Sequence, residues 1–184
     1  MIIFKGKTDL EIPAGFVVKT QSKAWMDDEL MKIWVEETWL KHVRTECKKL
    51  GFENSLLSFD AFSAHLTDGV KAQLLKNNSD ILQIPASFTS KCQPMDVCLN
   101  KPFKSVLRKC WVNYVATVVK RFPDGNSSSS KIPVPTRQQM IGWIKEGYGY
   151  LVQDKEMVKR SFEVCGITSS DPVKIRNGTF YRKC

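Results

Sequence analysis

Two aspartates in this chain stand where an α/β protein can use a carboxylate for chemistry. Asp60 ends the apolar run Leu56-Leu57-Ser58-Phe59-Asp60, which reads as a buried central strand. Functional side chains of α/β sheets gather at such C-terminal strand ends. Asp96 follows 36 positions later, at the entry to a helix. One helix and one strand lie between them, so a crossover can return Asp96 to the mouth of the same sheet. Two converging carboxylates can hold Mg²⁺, a hard ion that prefers oxygen ligands and keeps several waters. Phosphoryl transfer by two metals uses such a pair: one ion activates the attacking hydroxyl, the other stabilises the leaving oxygen. The plainer readings are that Asp60 forms a turn and Asp96 caps a helix.

The elements that must position these acids can be read along the chain. Met1 to Phe4 reads as a strand, Gly6 to Gly15 as a turn-rich connection, and Phe16-Val17-Val18 as a second short strand. Met26, Leu30, Ile33, Trp34, Val43, Cys47 and Leu50 recur at helical spacing. Asp27, Asp28 and Glu29 sit in the first turn, Lys48 and Lys49 in the last, and Gly51 follows, as the helix dipole and a C-cap require. This is a long helix, broken near Thr38. Thr67 can cap a helix through about Lys76, with Val70, Leu74 and Leu75 facing inward, and Ile81 to Ile84 is a further strand. Strand, helix and strand in that order predict a parallel crossover and an α/β fold.

After Gln93-Pro94 a helix runs from about Pro94 or Pro102 to Lys120, with Phe103, Leu107, Cys110, Trp111, Tyr114 and Val118 on one stripe. Residues 123–135 read as a linker. Thr136 and Gln139 make a capping box for a helix carrying Met140, Ile144 and Tyr148. A last helix, about Asp154 to Val164, stops at Gly166.

Charge indicates the partner. The formal net charge is +9 with a hydrophobic content of 42%, which suits a globular domain that meets a polyanion, most simply nucleic acid. The span 91–121 holds seven basic residues and one acid, Asp96. Lys91, Lys101, Lys104 and Arg108 are the candidate phosphate contacts, since Lys104 and Arg108 line the Asp96 face if the helix is continuous. Such contacts are salt-sensitive and blind to base sequence. A solvated helix face is the alternative. No run is long enough to span a membrane. The six cysteines show no CxxC pairing and read as reduced thiols; zinc is not expected.

The text around the acids resembles a known family. Ser58-Phe59-Asp60-Ala61-Phe62-Ser63-Ala64-His65-Leu66-Thr67 resembles the second-Asp block of pogo/Tigger-type DDE transposases, within the mariner-like superfamily. Gln93-Pro94-Met95-Asp96 and Asn100-Lys101-Pro102-Phe103-Lys104 resemble its third-acid block. Met1 to Lys7, Trp25 to Met31, Trp143-Ile144-Lys145 and Ser161 to Ile167 are similar to further family text. The resemblance implies a ribonuclease H-like fold, Mg²⁺ or Mn²⁺ dependence, DNA cleavage and strand transfer in complete relatives, and a nuclear location. It marks Asp60 and Asp96 as catalytic, metal-binding residues. His65 is expected to pack at the next helix start and stands outside this set.

One departure matters. The family's first catalytic Asp lies on a strand upstream of the Met1–Lys7 block, and no residue here matches it. Asp9 falls in a turn-like stretch, and Asp27 and Asp28 are better explained as first-turn helix acids. The expected architecture is therefore a truncated ribonuclease H-like α/β domain over 1–122, a linker over 123–135, a helical part over 136–167 and a tail over 168–184. The expected function is DNA binding with little or no strand transfer. The competing readings are an endonuclease completed by another segment, and a protein-interaction module using an exposed sheet edge.

Overall fold

The computed structural model describes residues 1–6, 12–65, 67–120 and 132–168. Most of the expected linker (123–135) and tail (168–184), and Asp9, lie outside these. The chain is mixed α/β and divides into two compact units, Met1–Thr89 and Ser90–Cys184.

The first unit holds two parallel strand pairs. β1 (Ile2–Lys5) pairs with β2 (Val18–Gln21), Ile2 opposite Val18. The second strand starts later than the apolar run Phe16–Val18, because the Pro13–Gly15 turn carries through Phe16, whose N–H donates to Pro13 O. β3 (Ser55–Asp60) pairs with β4 (Ser79–Ile84), from Ser55 opposite Ser79 to Asp60 opposite Ile84. The crossover between them is α3 (Asp68–Lys76), whose N-cap Thr67 accepts from Val70 N–H. Parallel pairing needs this excursion, since no tight turn can return a strand in the same direction.

The long helical segment begins as α1 (Asp28–Trp34), capped by Asp27, which accepts from Leu30 N–H at 2.9 Å. It passes through a π turn at Val35–Leu40 and continues as α2 (Lys41–Leu50). Gly51 ends it with φ of 73°, a left-handed cap that suits glycine. Met31, Val35, Leu40, Leu57, Phe59, Val70 and Leu74 form one buried cluster, with Trp34, Trp39 and Ile81 packed on it. The buried Ser79 Oγ accepts from Trp39 Nε1 at 3.0 Å and meets Ser55 Oγ at 2.9 Å, so its burial costs little. Leu75, expected inside, is 58% exposed, because α3 turns its Val70–Leu74 side inward.

In the second unit α4 (Thr89–Cys92) and a π turn at Met95–Leu99 lead into α5 (Asn100–Lys120). α6 (Arg137–Gln153) begins with the expected capping box, Thr136 and Gln139 each satisfying the other's backbone N–H. Its buried residues are Ile141, Gly147 and Leu151, whereas Tyr148, expected on the apolar stripe, is exposed. The reason is Gly147: a Cβ there would lie 2.8 Å from the Phe103 ring, so α6 approaches α5 along its bare side. α7 (Lys155–Val164) closes the unit, capped by Asp154.

Cys47, Cys92, Cys110 and Cys165 are free thiols, while Cys98 is disulfide-bonded, a departure from six reduced cysteines. Burial, with a smaller contribution from nearby Cys92, pushes the Cys165 thiol up to about 11. A free cysteine titrates near ~8.5. The native state therefore keeps a proton that the unfolded chain loses, and this stabilisation is whole below ~8.5 and is lost as pH rises through about 11. At pH 9 iodoacetamide should label Cys165 at least tenfold more slowly in the native protein than in urea. Equal rates by mass spectrometry would contradict its burial.

Candidate nucleic-acid and metal-binding residues

Asp60 owes its position to the end of β3, and its setting to the turn that follows. Its Oδ1 accepts the Phe62 N–H at 3.2 Å, the local bond by which an aspartate closes a turn. The chain then makes one 3₁₀ turn at Ser63–His65, which brings His65 Nδ1 to 2.9 Å from the same oxygen. That approach lies outside hydrogen-bond geometry, so the pair is electrostatic and complete only when the imidazole is protonated. Phe59 and Phe62 flank the ring, with centroids 5.2 and 5.3 Å away. Among the described residues nothing bonds Oδ2 of Asp60, whose side chain is 35% exposed. The turn-forming and ligand readings of Asp60 are thus compatible: one oxygen holds the turn and the other faces out.

His65 is the residue that the sequence reading set aside. Five positions from Asp60 fit neither strand nor helix periodicity, and only the compact Ala61–Ala64 stretch could have suggested a turn joining the two. A second anchor lies just beyond. Thr67 Oγ1 donates to Asp28 Oδ1, and Lys32 Nζ lies 2.6 Å from Asp28 Oδ2. Lys32 first, then Thr67, hold the Asp28 carboxyl below the usual range. The start of α3 is thereby tied to the start of α1.

Asp96 sits in the π turn before α5. Its Oδ1 accepts from Asn100 Nδ2 at 2.8 Å, and the residue is exposed. The π turn decides which basic side chains share its face. Asn100 N–H reaches back five residues to Met95 O, so the turn takes up one more residue than an α-helix would. In an unbroken α-helix Lys104 and Arg108 would lie roughly 80° and 120° round from Asp96, so continuity alone does not put them on its face as expected. With one residue absorbed they fall within roughly 20° of it, and Lys101 within roughly 40°. All three are exposed, and among the described residues none has an ion-pair partner. Lys91 stands apart, in α4.

Asp60 belongs to the first unit and Asp96 to the second. Among the described residues no group of three or more His, Cys, Asp or Glu is placed to hold a metal ion. Taken singly, the free oxygen of Asp60 and the exposed Asp96 carboxylate each offer the oxygen ligand that a hard divalent ion prefers.

Residues 1–158 match the model of the DDE superfamily endonuclease family. The chain belongs to that family. It is 25% identical to the human "Pogo transposable element with ZNF domain" over 97% of this chain and 12% of that protein. It is 26% identical to the human "Pogo transposable element with KRAB domain" over 87% of this chain and 25% of that protein. The human "Jerky protein homolog" matches at 28% over 54% of this chain and 17% of its own length. The chain thus spans a quarter or less of the curated relatives it matches. No solved structure matches it. These relatives make this a pogo-type, transposase-derived DDE domain. No helix among the described residues is long and apolar enough to cross a membrane.

Proposed function

We propose that this domain holds duplex DNA along the exposed face of α5 and that, as a 184-residue chain, it does not transfer strands. The observation that carries the reading is the row Asp96, Lys101, Lys104 and Arg108, brought into line by the π turn in a chain of DDE endonuclease descent. Three cations beside one acid suit a phosphate backbone held close to a metal-binding carboxylate, with Lys91 adding a further phosphate contact. A ribonuclease H-like arrangement accounts for the parallel β3–α3–β4 unit with Asp60 at its C-terminal end. Such a domain works in the nucleus.

Asp60 and Asp96 are the carboxylates that would hold Mg²⁺ or Mn²⁺, and the metal would supply a bound nucleophile and stabilise the leaving oxygen. His65 keeps Asp60 turned so that Oδ2 is presented. Two carboxylates with no matched third leave a second ion poorly held, which is why binding without strand transfer is the expected behaviour.

The test is a pair of assays on the purified chain. A gel-shift titration on unrelated duplexes should give similar affinities that fall steeply with salt. Incubation of transposon-end DNA with Mg²⁺ or Mn²⁺ should give no nicking beyond a trace. Failure to bind duplex DNA would remove the proposal. Robust nicking abolished by Asp96→Ala would show instead an active endonuclease.

A further inference from the structure

A groove of about 930 Å³ runs between α5 and α6, wholly within the second unit. Lys101, Ser105 and Lys109 line it from α5 at i, i+4 and i+8, and Lys145 faces them from α6. Among the described residues none of these lysines has an ion-pair partner. The one acid in the wall, Glu146, accepts from Cys110 Sγ at 3.4 Å. Three lysines against one acid therefore leave an excess of positive charge along the groove for about 12 Å, the rise of eight helical residues.

The bed of the groove is bare by sequence. Gly142 and Gly149 lie two turns apart on α6, and a Cβ at either would meet nothing within 4 Å. Tyr150 is 51% exposed at the groove wall, with no ring or hydrogen-bond partner among the described residues. Unpaired cations, an open bed and a free aromatic ring are the parts with which proteins hold unpaired strands: charge follows the backbone and rings stack on bases. Width excludes a duplex. Packed helices lie about 8–10 Å apart axis to axis, whereas the major groove of B-DNA alone is about 12 Å across.

We propose that the α5–α6 groove binds single-stranded nucleic acid, with Lys101, Lys109 and Lys145 on its phosphates and Tyr150 stacked on a base. This goes beyond the duplex row on α5, because Lys109, Lys145 and Tyr150 are not part of it.

The experiment is a fluorescence-anisotropy titration of the full chain with labelled oligothymidylate of roughly twelve nucleotides, within the usual site sizes, beside a duplex of equal length. Lys109→Glu with Lys145→Glu should weaken oligothymidylate binding at least tenfold while duplex affinity stays within about threefold. Tyr150→Ala should weaken it about fivefold or more, the loss expected for one stacked base. Lys104→Glu with Arg108→Glu should show the opposite preference. Circular dichroism should remain that of the parent in each variant. The proposal is overturned if the parent binds duplex but not oligothymidylate, if the Lys109/Lys145 pair weakens both ligands equally, or if Tyr150→Ala changes nothing. It is also overturned if a glutamate-rich peptide displaces the oligonucleotide at lower concentration than unlabelled oligothymidylate does. Loss of duplex binding in the Lys104/Arg108 variant, together with single-strand binding unaffected by Lys109→Glu with Lys145→Glu, would sink the groove and leave the duplex row standing.

Discussion

Changing Lys101, Lys104 and Arg108 together to glutamate should weaken duplex DNA binding at least thirtyfold at low salt. Each phosphate contact contributes about 0.9 to the slope of log K against log salt concentration. Three contacts therefore make up about 2.7 of that slope and account for roughly a fortyfold change between 50 and 200 mM salt. The triple variant should lose that part of the slope as well as the affinity, and reversal of sign adds repulsion to the lost attraction. A solvated helix face makes the contrary prediction, since exposed charges that touch no ligand can be reversed with little consequence. Gel-shift titrations of parent and variant at several salt concentrations decide between them. Unchanged affinity with an unchanged slope would refute the row.

Leu74→Ala should cost the first unit about 2–5 kcal/mol, the usual loss when a fully buried leucine is cut back. Leu74 is 0% exposed and sits in the cluster with Leu57, Phe59 and Val70, where α3 packs under β3 and β4. That is a large share of the roughly 5–15 kcal/mol that holds a typical domain together. The neighbouring Leu75 is 58% exposed, and Leu75→Ala should change stability by less than about 0.5 kcal/mol. Urea unfolding followed by tryptophan fluorescence reads both, since Trp34 and Trp39 border the same cluster. Equal losses at the two positions would show that α3 is rotated relative to the structure described here.

That comparison also shows where the sequence was readable. Thr67 and the Thr136–Gln139 box were legible because capping is local: side chain and backbone partner lie three residues apart, whereas Asp27, read as a first-turn acid, is the cap itself. Gly51 was legible for the same reason. The parallel β3–α3–β4 unit followed from a strand, a helix and a strand too close together to be anything else. The inward face of each helix was harder. Leu74 and Leu75 are adjacent, equally apolar and about 100° apart on the helix, so composition could not choose between them. In the first long helix the 3.6-residue period fails at Val35–Leu40, where the π turn shifts the buried set to Met31, Val35 and Leu40 and leaves Leu50 65% exposed. On α6 the choice turned on Gly147, whose lack of a side chain hides its packing role from any hydrophobic pattern. His65 escaped because its partner is reached through a turn, where no periodicity operates.

The π turn at Met95–Leu99 bears on how this domain can diverge in evolution. Exchange of lysine for arginine along α5 leaves the charged row where it is. Substitutions that let Met95–Leu99 wind as an ordinary α-turn, with no residue lost, would leave every basic residue of α5 in place yet swing the row about 100° away from Asp96. Lineages can thus part with the row without any indel, while their length and charge count stay the same. Among relatives, the winding of this five-residue stretch is therefore a better marker of a basic row beside Asp96 than the number of basic residues that follow it.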